Sequence, residues 1–402
     1  MPKQAASPKK APSVVYFAGL RARKAKESKI QKIAALFDAA GFAKIVGKGA
    51  PKATAKTTER RASKNAGKKA PVAVKLHFGE RGNDTFINPV FVRAVVDKLK
   101  AANTLPFLTD TNTLYLGSRH NAVDHLQTAL EHGFGFATVN APLIIADGLR
   151  GGSFSEVPIG KKHFKKVKIA DAIVEAHGMI VMSHFKGHEM AGFGGAIKNL
   201  AMGCAPSQGK CDQHAVRFSV DKKLCSACGM CMTSCPEKAI AWKKEGEKKL
   251  AFIDKKKCIG CGECLTMCDP KAVTINWATE IGPFNERMAE YALGAVIGKP
   301  GRVGYFNFLM DITPDCDCVP WSDAPLVPDI GILASTDPVA LDKASLDLVN
   351  SQPGFTHSHL GCNHEPGQDK FTGTWSNTRG EIQLSYAESI GLGSTKYTLV
   401  EI

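Results

Sequence analysis

Eight cysteines in two matching runs carry the clearest chemistry in this chain of 402 residues. LCSACGMCMTSCPEKA begins at Leu224 and KKCIGCGECLTMCDPKA at Lys256, with equivalent cysteines 33 residues apart. Each run reads C-x2-C-x2-C-x3-C, the ligand spacing of bacterial cubane iron–sulfur clusters. Three thiolates on a short turning loop reach three corners of one cube, and Gly229, Gly260 and Gly262 permit the backbone dihedrals that such a loop needs. In two-cluster ferredoxins the fourth cysteine serves the neighbouring cluster. The spacing therefore assigns Cys225, Cys228, Cys231 and Cys268 to one [4Fe-4S] cluster, and Cys258, Cys261, Cys264 and Cys235 to the other. Pro236 follows the first run directly, whereas Asp269 precedes Pro270 in the second. Zinc sites favour C-x2-C pairs separated by a longer loop, and disulfide frameworks belong to small secreted domains, so both fit less well.

A second constellation is MSHFKGHEMAGFGGAIKNLAMGC, starting at Met182. His184, Lys186 and His188 are the catalytic candidates: a histidine to move a proton, a lysine to hold an anion. Gly192, Gly194 and Gly195 then lead into a helix carrying Lys198 and Asn199. Backbone N–H groups at the positive end of a helix suit a phosphate or carboxylate, so these five are the expected contacts of a small anionic substrate or cofactor. The spacing is neither a Walker A motif nor the dinucleotide fingerprint. Five cysteines stand outside the runs: Cys204, Cys211, Cys316, Cys318 and Cys362. Cys316 and Cys318, in PDCDC, are candidates for a further metal or a redox dithiol near Cys204. HSHLGCNH at 357–364 has a metal-binding composition and reads as an exposed, locally biased loop.

The elements that must position these groups alternate. VVYFAG (14–19), VAVKLH (72–77), PFLTD (106–110), LIIAD, MIVMSH (179–184), VGYFNFLM and DIGILAS (329–335) read as strands. ESKIQKIAALFDAAG, NPVFVRAVVDKLKAA, NAVDHLQTALEHG, MAEYALGAVIG and DPVALDKASLDLV read as helices, with Asn88 and Asp337 as caps before Pro89 and Pro338. The fold class is α/β, a largely parallel sheet core with an inserted bacterial-type 2[4Fe-4S] ferredoxin module of α+β type. The expected divisions are a basic tail at 1–12, the first half of the core at 13–215, the ferredoxin module at 216–280, and the second half at 281–402. Between the cysteine runs, AIAWKKEGEKKLAFID reads as a hairpin. Ligands of open α/β sheets gather beyond the carboxyl ends of the strands, which points to the loops 109–121, 183–204 and 311–323.

The formal charge of +14 is uneven. Residues 1–70 hold 18 Lys+Arg against 3 Asp+Glu, while the rest of the chain holds 34 against 35. The excess sits in the tail and in a basic, flexible insertion at 47–71. Its functional reading is a docking arm for an acidic redox partner, a ferredoxin or an oxidoreductase. It has no aromatic residue to stack a base, which argues against nucleic acid. No stretch approaches 18 apolar residues, so no membrane span is expected, and SVVYFAGL is too short and strand-like for a signal peptide.

Taken together, VKLHFGERGN, FLTDTNTLYLGSRHNAVDHL, IIADGLRG, the Met182 segment, the two cysteine runs, NFLMDITPDCDC and DIGILASTDPVALD resemble one family. It is that of the uncharacterised iron–sulfur-centre proteins, defined by a domain of unknown function numbered 362 with an embedded two-cluster ferredoxin domain. The resemblance covers nearly the whole chain from about residue 13. It implies an α/β core interrupted by a ferredoxin module in a cytoplasmic protein, and supplies no reaction. The insertion at 47–71 and HSHLGCNH depart from the family pattern. The expected function is an electron-transferring oxidoreductase with its substrate in the α/β core. The alternatives are a non-catalytic electron carrier or adaptor, and a cluster-based sensor touching nucleic acid.

Overall fold

The computed structural model describes residues 11–22, 24, 27–47, 69–276 and 279–402. The basic tail up to residue 10 and residues 48–68 of the insertion lie outside them.

Eight strands form the main sheet. In spatial order they are Tyr397–Glu401, Ser13–Gly19, Gly331–Ser335, Val303–Leu309, Gly178–His184, Pro71–Lys75, Leu105–Asp110 and Leu143–Ile145. Gly331–Ser335 pairs antiparallel with both neighbours and the other five pairings are parallel. Seven strands thus run one way and one runs against them. The reversal has a local cause: after Val303–Leu309 the chain turns back through a loop, with no crossover helix, and a parallel return would need a crossover. That loop, 310–330, is thereby left at the carboxyl end of the sheet.

The sheet is covered on both faces. All seven residues of Gly178–His184 are buried, with Met179 and Val181 in one apolar core and Ile180 and Met182 in the other. A side-chain period of two makes this division automatic. Each fully buried aliphatic side chain contributes about 1.5–3 kcal/mol relative to exposure. The helices begin where their caps specify. Asn88 accepts from the N–H of Val90 ahead of Pro89–Ala101, and Asp337 accepts from Val339 and Ala340 ahead of Pro338–Asn350. Ser28 and Gln31 close a capping box on Lys29–Ala39.

Between the two halves of the sheet, Arg217–Val220 pairs with Val273–Asn276, and Ile240–Glu245 with Lys248–Ile253, each antiparallel. These strands enclose a third apolar core of Phe218, Ile240, Ile253 and Val273 with Cys231 and Cys264, which Leu114 and Cys211 join from outside the repeat. The sequence repeat is also a backbone repeat. Positive φ recurs at Ala227 and Gly260, at Gly229 and Gly262, and at Lys238 and Lys271. Short helices follow at Met230–Thr233 and Glu263–Thr266.

The small unit is seated tightly on the core. A Cβ built on Gly260, where φ is +73°, would stand 2.4 Å from Cys211 Sγ. Gly260→Ala is therefore expected to loosen this seat by about 1–3 kcal/mol through backbone strain and overpacking. Limited proteolysis should show faster cleavage within 217–276, and unchanged protection would contradict the assignment.

Candidate functional site

A cavity of about 580 Å³ opens at the carboxyl ends of the parallel strands. Three strands deliver their last residue to its wall: Lys75, Asp110 and His184. Loops, helices and the short strand Lys186–His188 add His77, Glu80, Arg119, Lys186, His188, Lys198, Asn199, Lys210, His214, Cys316, Asp317 and Cys318. This volume is that of a small-molecule site.

The charges are paired in two buried networks. Lys75 Nζ lies 3.0 Å from Asp110 and donates to Asn199 Oδ1 at 2.6 Å. Asn199 donates in turn to Met182 O and Ser183 Oγ, which fixes its amide. A Cβ on Gly203 would stand 2.1 Å from Lys75 Nζ, so glycine makes room for the ammonium. Burial alone would raise the pKa of Asp110, but Lys75, His125, Arg119 and Lys210 together outweigh it and hold the carboxyl below its ordinary value. Arg119 ion-pairs with Glu80 at 3.2 Å and donates to Tyr115 Oη, which donates to Cys318 O.

The second network centres on Asp317. It accepts from His184 Nδ1 at 2.7 Å and Lys186 Nζ at 3.0 Å. His184 Nε2 meets the carbonyls of Met310 and Asp311 at 3.0 and 2.8 Å, so both of its ring nitrogens donate. Burial opposes ionisation of Asp317, yet His184 and Lys186 hold its carboxyl far below the usual range. Burial likewise opposes charge on Lys186, and Asp317 reverses the sign.

Two cavity groups differ. His188 Nδ1 accepts from the N–H groups of Met190 and Ala191, both at 3.1 Å, which leaves the proton on Nε2 of a ring that lines the cavity. Burial, then Lys198, pushes its pKa well below 6.5, so the imidazole is neutral. Lys210 donates only to uncharged oxygens, Thr111 Oγ1, Asn112 O and Ala205 O. Burial lowers its pKa, and nearby Asp147 acts the other way.

The eight cysteines of the two runs lie apart from this cavity and fall into two sets around two small hollows. Cys225, Cys228, Cys231 and Cys268 line one, and Cys235, Cys258, Cys261 and Cys264 line the other. Among the described residues no three His, Cys, Asp or Glu side chains gather closely enough for a single metal ion. Leu114 belongs both to the apolar core holding Cys264 and to the cavity wall. His120 Nε2 also meets Thr266 Oγ1 across the contact at 2.7 Å.

Residues 72–347 match the family model described as a domain of unknown function, DUF362. The chain belongs to the DUF362 family. No curated protein matches its sequence. Two solved structures resemble its coordinates weakly. The lactate racemase apoprotein from Thermoanaerobacterium thermosaccharolyticum gives a TM-score of 0.31 at 12% identity, covering 74% of this chain and 51% of its own. A Thermotoga maritima protein gives 0.34 at 9%, covering 77% and 57%. The chain spans about half the length of these two structures.

In this DUF362 protein the Met182 segment supplies much of the cavity wall. His184, Lys186, His188, Gly194, Gly195, Lys198 and Asn199 all line the cavity, while Gly192 lies instead against Gly380. Lys186 and Lys198 are already engaged, with Asp317 and with Cys316. The helix Ala196–Gly203 receives its anion from the chain itself: Asp342 accepts the N–H groups of Ala196 and Ile197 at 2.7 and 2.9 Å. Cys204 is fully buried, outside the cavity lining, and burial raises its thiol to about 11. In the 357–364 tract His359 packs on Trp375, and Cys362 is exposed.

Sequence reasoning missed Lys75, His77, Glu80, Asp110, Arg119 and Lys210. The available signal was a charged residue inside an apolar strand, Lys75 in VAVKLH, and one closing a strand, Asp110 in PFLTD. A charge there is retained only if paired or used.

Proposed function

We propose that this DUF362 protein is an iron–sulfur oxidoreductase, with two [4Fe-4S] clusters in the small unit and a small anionic substrate in the cavity. The observation that carries the reading is the shared wall. Leu114 belongs to the apolar core that holds Cys264 and also lines the 580 Å³ cavity. The donor sets fit the clusters. Four thiols edge each hollow without meeting at one point, which suits a multinuclear centre better than a single ion. The N–H groups of Ala239 and Val273 donate to Cys235 and Cys268 Sγ at 3.2 and 3.4 Å, the outer hydrogen bonds that metal-bound sulfurs accept. Bound clusters of this kind supply electrons one at a time.

The chain's own residues do the rest. His188, neutral and protonated on Nε2, offers a hydrogen bond to an oxygen of the bound molecule. Lys210 adds positive charge that, among the described residues, no carboxylate takes up by a direct contact. The paired networks hold the wall rigid around them. His184, with both nitrogens committed, positions Asp317 and does not shuttle protons.

Anaerobically isolated protein should carry about eight iron and eight sulfide per chain. Mass spectrometry of the released small molecules should find a carboxylate or phosphate compound that His188→Ala and Lys210→Met lose at unchanged iron content. Zinc in place of iron removes the redox reading, and full retention of the compound by both variants removes the cavity from it.

A further inference from the structure

Cys316 and Cys318 do no work in the reading above, yet both line the cavity. Three observations set them apart from the other thiols. First, their placement is rigid. Val319 N–H donates to Cys316 O at 3.1 Å, closing a turn across the pair. Asp317, between them, is fully buried and clamped by His184 and Lys186, and its carbonyl accepts from Glu80 N–H at 2.9 Å. Second, the two thiols lie close enough to share a hydrogen bond. Third, Lys198 Nζ lies 3.0 Å from Cys316 Sγ. An ammonium against one sulfur, with a second thiol beside it, is the environment of a thiolate nucleophile and its resolving thiol. The Cys318 hydrogen bond, then Lys198 and Lys186 against the cost of burial, lowers the Cys316 pKa well below 9.0, and the same bond raises that of Cys318. A metal is the poorer use of the pair, because no third His, Cys, Asp or Glu joins them among the described residues.

We infer that Cys316 and Cys318 form a redox-active dithiol that exchanges with a small, carboxylate-bearing disulfide in the cavity. Cys316 Sγ attacks one sulfur of the disulfide, forming a protein–substrate mixed disulfide and expelling one half as a thiolate. The Cys318 proton passes to that thiolate. Cys318 then attacks Cys316 Sγ, closes the Cys316–Cys318 disulfide and releases the second half as a thiolate. Two electrons pass from the dithiol to the substrate, so this half-reaction needs no other reductant. The preference for an anionic substrate follows from Lys210, whose contacts are all to uncharged oxygens. The inference requires neither iron–sulfur cluster, so it survives or fails apart from them.

The sequence makes the test clean. Trypsin releases 303–343, which contains Cys316 and Cys318 and no other cysteine. Anaerobic full-length protein is equilibrated with mixtures of reduced and oxidised dithiothreitol, quenched in acid, alkylated and digested. The peptide should pass through one transition to a form about 2 Da lighter than the dithiol. Limiting iodoacetamide near pH 6 should label Cys316 at least about tenfold faster than the exposed Cys362, because the thiolate is the reacting species. In Cys318→Ser, cystine should trap half a molecule on Cys316, about tenfold faster than the cationic cystamine does. Lys198→Met should slow the trapping and Lys198→Arg should restore most of it. A pair that stays reduced in fully oxidised dithiothreitol overturns the inference on the wild-type chain alone. Labelling of Cys316 no faster than Cys362 overturns the nucleophile, and a preference for cystamine overturns the substrate charge.

Discussion

Asp317→Asn should cost the folded protein about 3–5 kcal/mol, the penalty of leaving a buried charge without its partner. Asparagine has nearly the same shape, so the loss is electrostatic. Lys186 keeps its ammonium and His184 keeps two donating nitrogens, but the carboxylate between them is gone. The effect carries a pH signature. Asp317 has a depressed pKa in the folded chain, so its contribution is complete above the ordinary carboxylate pKa of about 4. It fades as the pH falls from there toward the depressed value. Urea unfolding of wild-type and variant should therefore differ most near pH 7 and converge in acid. A variant as stable as the wild type at neutral pH would mean that Asp317 is not the anchor of the 310–330 loop.

Local signals made the frame legible. Strands buried on both faces, such as Gly178–His184, read as unbroken apolar runs, and caps such as Asn88 and Asp337 mark helix starts within a residue. Tyr397–Glu401 escaped notice because this edge strand is half exposed and has no apolar face to announce it. The reversed direction of Gly331–Ser335 was also hidden, since period and composition carry no sense of direction. The candidate site was legible only where chemistry clusters in sequence. His184, Lys186, His188, Lys198 and Asn199 come from one segment, and the loops after the strands line the same cavity. Pairings such as Lys75 with Asp110, or Lys198 with Cys316, join residues 35 and 118 positions apart, and no local pattern encodes them. The glycines show the complementary error. Gly195 leads into a helix end as its motif suggests, but a Cβ there would meet Asp342, which already supplies the anion.

The last large effect concerns which cysteines belong together. Cys235→Ala should halve the iron of reconstituted protein, from about eight to about four per chain, if the protein holds two [4Fe-4S] clusters. The decisive variants are double ones. Cys235 shares its hollow with Cys258, Cys261 and Cys264, whereas Cys225 shares the other with Cys228, Cys231 and Cys268. Adding Cys258→Ala to Cys235→Ala therefore removes a second ligand from a cluster already lost, and iron should stay near four, about half the full content. Adding Cys225→Ala instead should empty both sites. Cysteines that worked only within their own run would give the opposite pattern, with Cys235 and Cys225 redundant and Cys235 and Cys258 additive. The backbone favours the crossed outcome. The single-turn helix Met230–Thr233 carries the third thiol of its run, Cys231, and ends before the fourth, which leaves Cys235 beside the partner loop; Glu263–Thr266 does the same with Cys264 and Cys268. Two clusters bound this way cannot be lost run by run, since each run contributes a ligand to both.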